Sequence, residues 1–386
     1  MRRRSRPVPV GNLTIGGTAP VSVQSMSTLH PARAGQLLEE ISRLAAAGCE
    51  LIRVAVPDQE AVEALPALVA RSPLPVVADV HFDYRLALGA LEAGVHKLRI
   101  NPGNIGGADR LALVAAAARE RGIAIRVGVN AGSLPAVFGR RDPAERAAAM
   151  VEGALEQVRI IEGLGHEAIV VALKASDVAT TLEANRLMAT KGDWPLHLGL
   201  TEAGSRNRGS VASAIAIGTL LLEGIGDTIR VSLSADPVEE VRVAWDILRA
   251  TGIRQRGVTV IACPTCGRCQ VELFPVVEQV EKAVADWETP LTIAIMGCAV
   301  NGPGEAREAD VGLAAGCEGG VIFRHGEVVG RVSSHEMVDA LLAEASRAAA
   351  MIDINAGAML PSKKSIGQKA MNEEKGDSED YRESSH

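Results

Sequence analysis

Pro75-Val-Val-Ala-Asp-Val-His-Phe82, the Ala/Leu-rich stretch Tyr84–Ala93 and Lys97-Leu-Arg-Ile-Asn-Pro102 make one unit: a β-branched run ending in polar residues, a helical stretch, and a second such run. The unit recurs in both directions. Further runs stand at Val21–Ser27, Leu51–Val56, Ala124–Asn130, Ala168–Ser176, Leu196–Gly204 and Thr228–Ala235. Helical stretches alternate with them at Ala32–Ala47, Glu60–Ala70, Ala108–Arg121, Pro143–Leu164, Asp177–Thr190, Arg208–Leu222 and Pro237–Ala250. Eight strands alternating with eight helices over about 230 residues predict an α/β fold, a (β/α)8 TIM barrel. A doubly wound open sheet is the competitor. The strand count, and the lack of a Gly-rich dinucleotide fingerprint after the first strand, favour the barrel.

Beyond the barrel, Thr251–Gly257 is short, polar and basic and reads as a linker. Strands near Val258–Ala262, Leu291–Gly297 and Gly320–Arg324, with helices near Phe274–Trp287 and His335–Met351, predict a small α+β domain. The expected organisation is a barrel over residues 1–251, the α+β domain over 257–351, and a polar tail over 353–386 that composition marks as disordered. The chain has 386 residues with 47% hydrophobic and only 2% aromatic content, so its core must be built from Ala, Val, Leu and Ile. A formal charge of −7 argues against general nucleic-acid binding and requires any anionic ligand to meet a local basic site. The basic start Met1–Pro7 reads as a solvated terminus, with a targeting or nucleic-acid patch as the alternative. It is not followed by an apolar signal segment, and no run of about 18 apolar residues occurs, so a cytoplasmic protein without a membrane span is expected.

The active site of a TIM barrel lies at the C-terminal ends of its strands. Along the chain, those ends carry Arg53; Asp79 and His81; Arg99 and Asn101; Arg126 and Asn130; Lys174, Ser176 and Asp177; His197, Thr201 and Glu202; and Arg230. A cation in or beside an apolar run must be paired or must face a ligand, because a buried lone charge is costly. Asp79, Asp177 and Glu202 are the acids available for ion pairing, and they are too few for Arg53, Arg99, Arg126, Lys174 and Arg230. The surplus points to an anionic substrate, and Arg forks suit phosphate or diphosphate oxygens. Asn101-Pro-Gly-Asn-Ile-Gly-Gly107 opens a helix and reads either as a phosphate-binding turn or as a plain βα turn. Glu202 reads as a general acid or base, or as a salt-bridge partner. His81 and His197 read as ligands or as hydrogen-bonded scaffold residues.

Six cysteines in a long chain without a secretory signal do not make a disulfide framework. Cys263-Pro-Thr-Cys266 follows one strand of the second domain, and Cys298 follows another in Met296-Gly-Cys-Ala-Val-Asn-Gly-Pro-Gly-Glu305. Three soft thiolates select iron–sulfur, zinc or copper. Structural zinc wants four closed ligands, and the second half offers one Cys with no paired Cys or His, which favours iron–sulfur. The fourth ligand by spacing is either Cys269, through Cys-x2-Cys-x2-Cys, or Glu305. Cys49 and Cys317 read as inert.

Several stretches resemble the 4-hydroxy-3-methylbut-2-enyl diphosphate synthase family. They are Val23-Gln-Ser-Met26, Ala78-Asp-Val-His-Phe-Asp-Tyr84, Leu98-Arg-Ile-Asn-Pro-Gly-Asn104, Arg126-Val-Gly-Val-Asn-Ala-Gly-Ser133, His197-Leu-Gly-Leu-Thr-Glu-Ala-Gly204, Ala262-Cys-Pro-Thr-Cys266 and Val300-Asn-Gly-Pro-Gly-Glu305, in order across about residues 3–350. The resemblance implies reductive ring opening of 2-C-methyl-D-erythritol 2,4-cyclodiphosphate. It implies a [4Fe–4S] cluster on Cys263, Cys266, Cys298 and Glu305, making the small α+β domain an iron–sulfur domain. Electrons would come from ferredoxin or flavodoxin. Arg53, Arg99, Arg126, Lys174 and Arg230 would bind the cyclic diphosphate, with Asn130, His81 and Asn301 also reaching the substrate. Glu202 would donate a proton or stabilise the transition state. The resemblance also implies a homodimer in which the cluster domain of one chain caps the barrel of the other. Two features depart from the family pattern: Cys269, where the family usually has a non-thiol residue, and the tail after about Asp353.

Overall fold

The computed structural model describes residues 2–100, 105–133, 142–269, 271–298 and 308–359. The chain divides into two compact units, Met1–Gln255 and Arg256–His386.

The first unit opens with a hairpin, β1 (Val8–Val10) and β2 (Leu13–Ile15), which the sequence reading missed. Eight parallel strands follow, each except the last leading through a helix to the next: β3 (Ser22–Met26), α1 (Ala34–Ala46), β4 (Leu51–Ala55), α2 (Gln59–Arg71), β5 (Val76–Val80), α3 (Tyr84–Glu92), β6 (Lys97–Ile100), α4 (Ala108–Glu120), β7 (Ala124–Asn130), α5 (Pro143–Gly163), β8 (Ile169–Lys174), α6 (Val178–Ala189), β9 (His197–Leu198), α7 (Arg206–Leu222) and β10 (Thr228–Ile229). A last helix, α8 (Pro237–Ala250), completes the ring. Strands β3 to β8 pair in sequence order, β10 lies between β3 and β9, and a bridge from Val171 to Leu196 joins β8 to the start of β9. The barrel is thereby closed, as the sequence predicted.

Local chemistry starts the helices. Asp58, Asp83, Asp142, Asp177 and Asp236 each accept a backbone N–H at the head of α2, α3, α5, α6 and α8. Pro143 and Pro237 occupy the first helical position, where no N–H is needed. Outward-facing strand residues such as Ile52, Val54, Ala78, Leu98, Ile125 and Val171 pack under the helices in the main core. The hairpin residues Val8, Val10 and Ile15 instead form a separate apolar cluster with Leu51, Val77, Ala124 and Val170, from the N-terminal ends of β4, β5, β7 and β8. They stopper the bottom of the barrel. The basic terminus is not merely solvated: Arg2 pairs with Asp227 at 2.7 Å, and Arg6 reaches Asp193 at 2.6 Å and Glu162 at 2.9 Å.

The second unit is a five-stranded sheet with strands in the order β11 (Val258–Ala262), β12 (Leu291–Met296), β13 (Val311–Gly316), β14 (Gly319–Arg324) and β15 (Glu327–Val332). β11, β12 and β13 are parallel, and the last two strands run antiparallel. Helices α9 (Leu273–Val284) and α10 (Met337–Met359) complete it. β13 and β15 were not anticipated. Helix α10 runs to Met359, past the expected boundary near residue 351. The tail beyond 359 lies outside the described residues.

Candidate active site

Strand register carries the site. Asp79 pairs with Arg99, Arg99 with Arg126, and Asn130 with Lys174 across neighbouring strands, so these side chains share the inward face. Arg53, Arg99, Arg126, Asn130, Lys174, Glu202 and Arg230 line a single cavity of about 180 Å³ at the C-terminal mouth of the barrel. Thr201 and Ser232 add hydroxyls to the same wall. Two glycines keep it open. A Cβ on Gly128 would lie 3.2 Å from Arg99 Nε, and one on Gly199 would lie 2.7 Å from Lys174 Nζ and closer still to the Arg230 carbonyl. His81 lies at the rim, a ring nitrogen accepting from the Arg99 guanidinium, and stands 3.4 Å from Asp79. Asn301 and Glu305 lie outside the described residues.

The charges do not balance inside this cavity. Each oxygen of the Asp79 carboxylate takes one arginine, Arg53 at 2.6 Å and Arg99 at 2.9 Å. Burial opposes ionisation of Asp79, but His81, Arg53 and Arg99 outweigh it and hold the carboxyl well below its ordinary range. Asp177, expected as a pocket acid, caps α6 and pairs with Arg146 at 3.0 Å instead. The acid that the sequence reading missed is Glu240 on α8, 3.4 Å from Arg230 and bonded to the Leu233 N–H at 2.9 Å. Its signal was present: Glu240 sits on the buried stripe of α8 with Val241, Ala244 and Ile247. Arg126 and Lys174 have no carboxylate partner among the described residues. Nε and Nη1 of Arg126 are buried without a hydrogen bond. Burial, reinforced by Arg53 and Arg99, weakens the hold of Arg126 on its proton. Burial and the neighbouring Arg126 and Arg230 likewise lower the pKa of Lys174. Such a group of donors is poised for a multiply charged anion.

Glu202 stands on the loop after β9 with φ +52°, a left-handed conformation that a glutamate adopts only when its surroundings impose it. The loop thus aims an exposed carboxyl into the cation-lined mouth.

In the second unit, β11 and β12 are adjacent and parallel, with Ala262 in register with Ile295. Cys263 follows β11 directly, its N–H bonded to the Ile295 carbonyl, and Cys298 comes two residues after β12 ends at Met296. Their thiols therefore leave one edge of one sheet, with Cys266 a short turn away. That turn places Thr265 at φ +67°. The Arg268 N–H and guanidinium hold the exposed Cys266 thiol below its ordinary value, which favours the thiolate a metal requires. Cys269 behaves differently: its thiol donates to the Val271 carbonyl at 3.4 Å. Its sulfur fills the space where a Cβ on Gly297 would stand. No three His, Cys, Asp or Glu donors already converge on a metal-sized point among the described residues. The donor set of three soft thiols from two adjacent strand ends nonetheless fits an iron–sulfur cluster in kind.

Residues 5–245 match the family model described as the GcpE TIM-barrel domain, and residues 259–347 match the GcpE protein C-terminal domain. The chain belongs to the GcpE family. Its relatives include proteins named 4-hydroxy-3-methylbut-2-en-1-yl diphosphate synthase (flavodoxin). The one from Geobacter sulfurreducens is 54% identical over 347 residues, covering 90% of this chain and 98% of the relative. The one from Magnetococcus marinus is 50% identical over 341 residues, covering 88% and 92%. As a member of this family the chain is an enzyme. Among solved structures, dihydropteroate synthase from Yersinia pestis covers 64% of this chain and 99% of its own at 17% identity and a TM-score of 0.46, too distant to bear on GcpE chemistry. No helix among the described residues is long and apolar enough to cross a membrane.

Proposed function

We propose that this chain opens the ring of 2-C-methyl-D-erythritol 2,4-cyclodiphosphate reductively and removes a hydroxyl as water, giving (E)-4-hydroxy-3-methylbut-2-enyl diphosphate. The observation that carries the reading is the buried pair Arg126 and Lys174, basic side chains without carboxylate partners among the described residues, in a cavity whose positive charge Asp79 and Glu240 offset only in part. The two phosphates of the substrate supply the missing negative charge. Arg53, Arg99 and Arg230, already oriented by Asp79 and Glu240, fork onto phosphate oxygens, and Asn130 and His81 add neutral contacts. Glu202 delivers a proton to the departing hydroxyl, which leaves as water. Asn301 reaches the substrate from the cluster domain.

Cys263, Cys266, Cys298 and Glu305 would hold a [4Fe–4S] cluster, which would supply two electrons one at a time. Cys269 is left out of the ligand set, a reading that its thiol's hydrogen bond to the Val271 carbonyl supports. Flavodoxin, named for the relatives, is the proposed electron donor, with ferredoxin as the other candidate. The enzyme works in the cytoplasm as a homodimer, the cluster domain of each chain capping its partner's barrel. The test is anaerobic turnover of the cyclodiphosphate with reduced flavodoxin. Absence of product, or a colourless zinc-loaded protein from anaerobic purification, overturns the reading. Cys269→Ser is expected to retain the brown cluster absorbance and Glu305→Ala to lose it; the reverse pattern transfers the fourth ligand to Cys269.

A further inference from the structure

Below the cavity the barrel holds a second polar layer that the reaction does not use. Ser22 and Gln24 from β3, Lys97 from β6, His197 from β9 and Thr228 from β10 point into the interior and are all buried. Lys97 is wholly inaccessible, and its Nζ donates to Gln24 Oε1 at 3.3 Å across the barrel. Gln24 Nε2, both ring nitrogens of His197, Ser22 Oγ and Thr228 Oγ1 are buried without hydrogen-bond partners.

The groups around Lys97 explain its state. Arg53 faces it from β4, Arg126 from β7 and His197 from β9, with Lys174 of β8 acting on the same histidine. Gln24 on β3 and the apolar hairpin beneath are neutral. Asp79 on β5 is occupied by Arg53 and Arg99. An ammonium placed here would be buried among cations with no counter-charge, the most costly arrangement for an ion in a protein interior. Burial, with Arg126 and Arg53 nearby, therefore pushes the pKa of Lys97 well below that of an exposed lysine. His197 is held neutral by burial, Lys174 and Arg126. An anion entering above offsets most of the positive field on both bases.

We propose that Lys97, together with His197, is a proton store beneath the substrate: the layer takes up a proton from solvent as the anion binds and releases it as product leaves. Lys97 is a positioning residue, answering the change of charge above it without touching the ligand. The inference rests on the diphosphate reading of the cavity.

The test is calorimetric titration of the anaerobically purified full chain with 2-C-methyl-D-erythritol 2,4-cyclodiphosphate, without an electron donor, in buffers of different ionisation enthalpy. Each ring phosphate carries a single, strongly acidic P–OH, so the ligand itself does not change protonation near neutral pH. The wild type is expected to take up close to one proton per site, its affinity rising as pH falls. In Lys97→Met, and in Lys97→Gln where the methionine variant does not fold, uptake drops and the pH dependence of affinity flattens, while binding persists. A purely structural role for Lys97 leaves proton uptake unchanged. Tight binding by the wild type without proton uptake, or equal uptake in wild type and variants, overturns the proton store and leaves the diphosphate site standing. Failure of the wild type to bind the cyclodiphosphate overturns both.

Discussion

Arg126 illustrates how one side chain can serve function at the expense of stability. It is 2% exposed and has no carboxylate partner among the described residues, so in the proposed reaction the ligand would supply its counter-charge. Arg126→Met should weaken binding of the cyclodiphosphate by roughly 10- to 100-fold, the value of a charge-assisted hydrogen bond, and should leave the melting temperature unchanged or raise it. Titration calorimetry and thermal unfolding of the same variant check both halves. Asp79 is the converse, since it holds two arginines. Asp79→Asn should cost about 3–5 kcal/mol, the loss seen when one partner of a buried ion pair is removed. Its folded pKa lies below the unfolded value of about 3.9, so the stabilisation is complete above that value and fades as pH falls towards the folded one. Urea unfolding across the acid range should show a steep loss in the wild type that the variant lacks. Glu202→Gln should lower kcat by about 10²- to 10⁴-fold with little change in KM, as expected for loss of a proton donor, read from steady-state turnover. At this scale the sequence was most legible where a polar residue interrupts an apolar run, as at Arg53, Arg99, Arg126 and Lys174. It was least legible where an acid reaches the site from a helix: Glu240 looks like an ordinary member of the Pro237-Val-Glu-Glu helix start, while Asp177, at the end of a strand, was spent on a helix cap.

The eight barrel strands could be read from their β-branched runs because each is buried on both faces and must be apolar or functional. The hairpin was not readable for the opposite reason: its strands are three residues each, and Pro7 and Pro9 argue against a strand. Its stability comes from contact with four barrel strands, which no local pattern reports. Ile15→Ala should therefore cost about 3 kcal/mol despite lying outside the barrel proper, measured by urea unfolding. In the second unit, β13 and β15 were obscured by Gly312, Gly316 and Gly330, residues that weaken any strand signal. What secures them is pairing: β13 is central and hydrogen-bonded on both sides, and β14 meets β15 through the His325-Gly326 turn, where both residues have positive φ.

At the scale of the molecule, two separately cored units imply two separable stabilities. The second unit has a modest apolar core, and a cluster on its cysteines would bind only the folded form, so loss of iron should lower the melting temperature of that unit. The barrel transition should stay where it is. Differential scanning calorimetry before and after anaerobic chelation checks this, and a single transition that moves as a whole contradicts it. The stoppered base of the barrel has a different consequence. A tube sealed at one end is a cul-de-sac, so whatever reaches Arg126 and Lys174 must come and go through the same doorway. In the proposed reaction, the linear diphosphate and the released water would leave by the route the cyclic diphosphate uses to arrive. Traffic is one-way-at-a-time: no fresh substrate seats until the product has backed out, and accumulated product queues for the same berth.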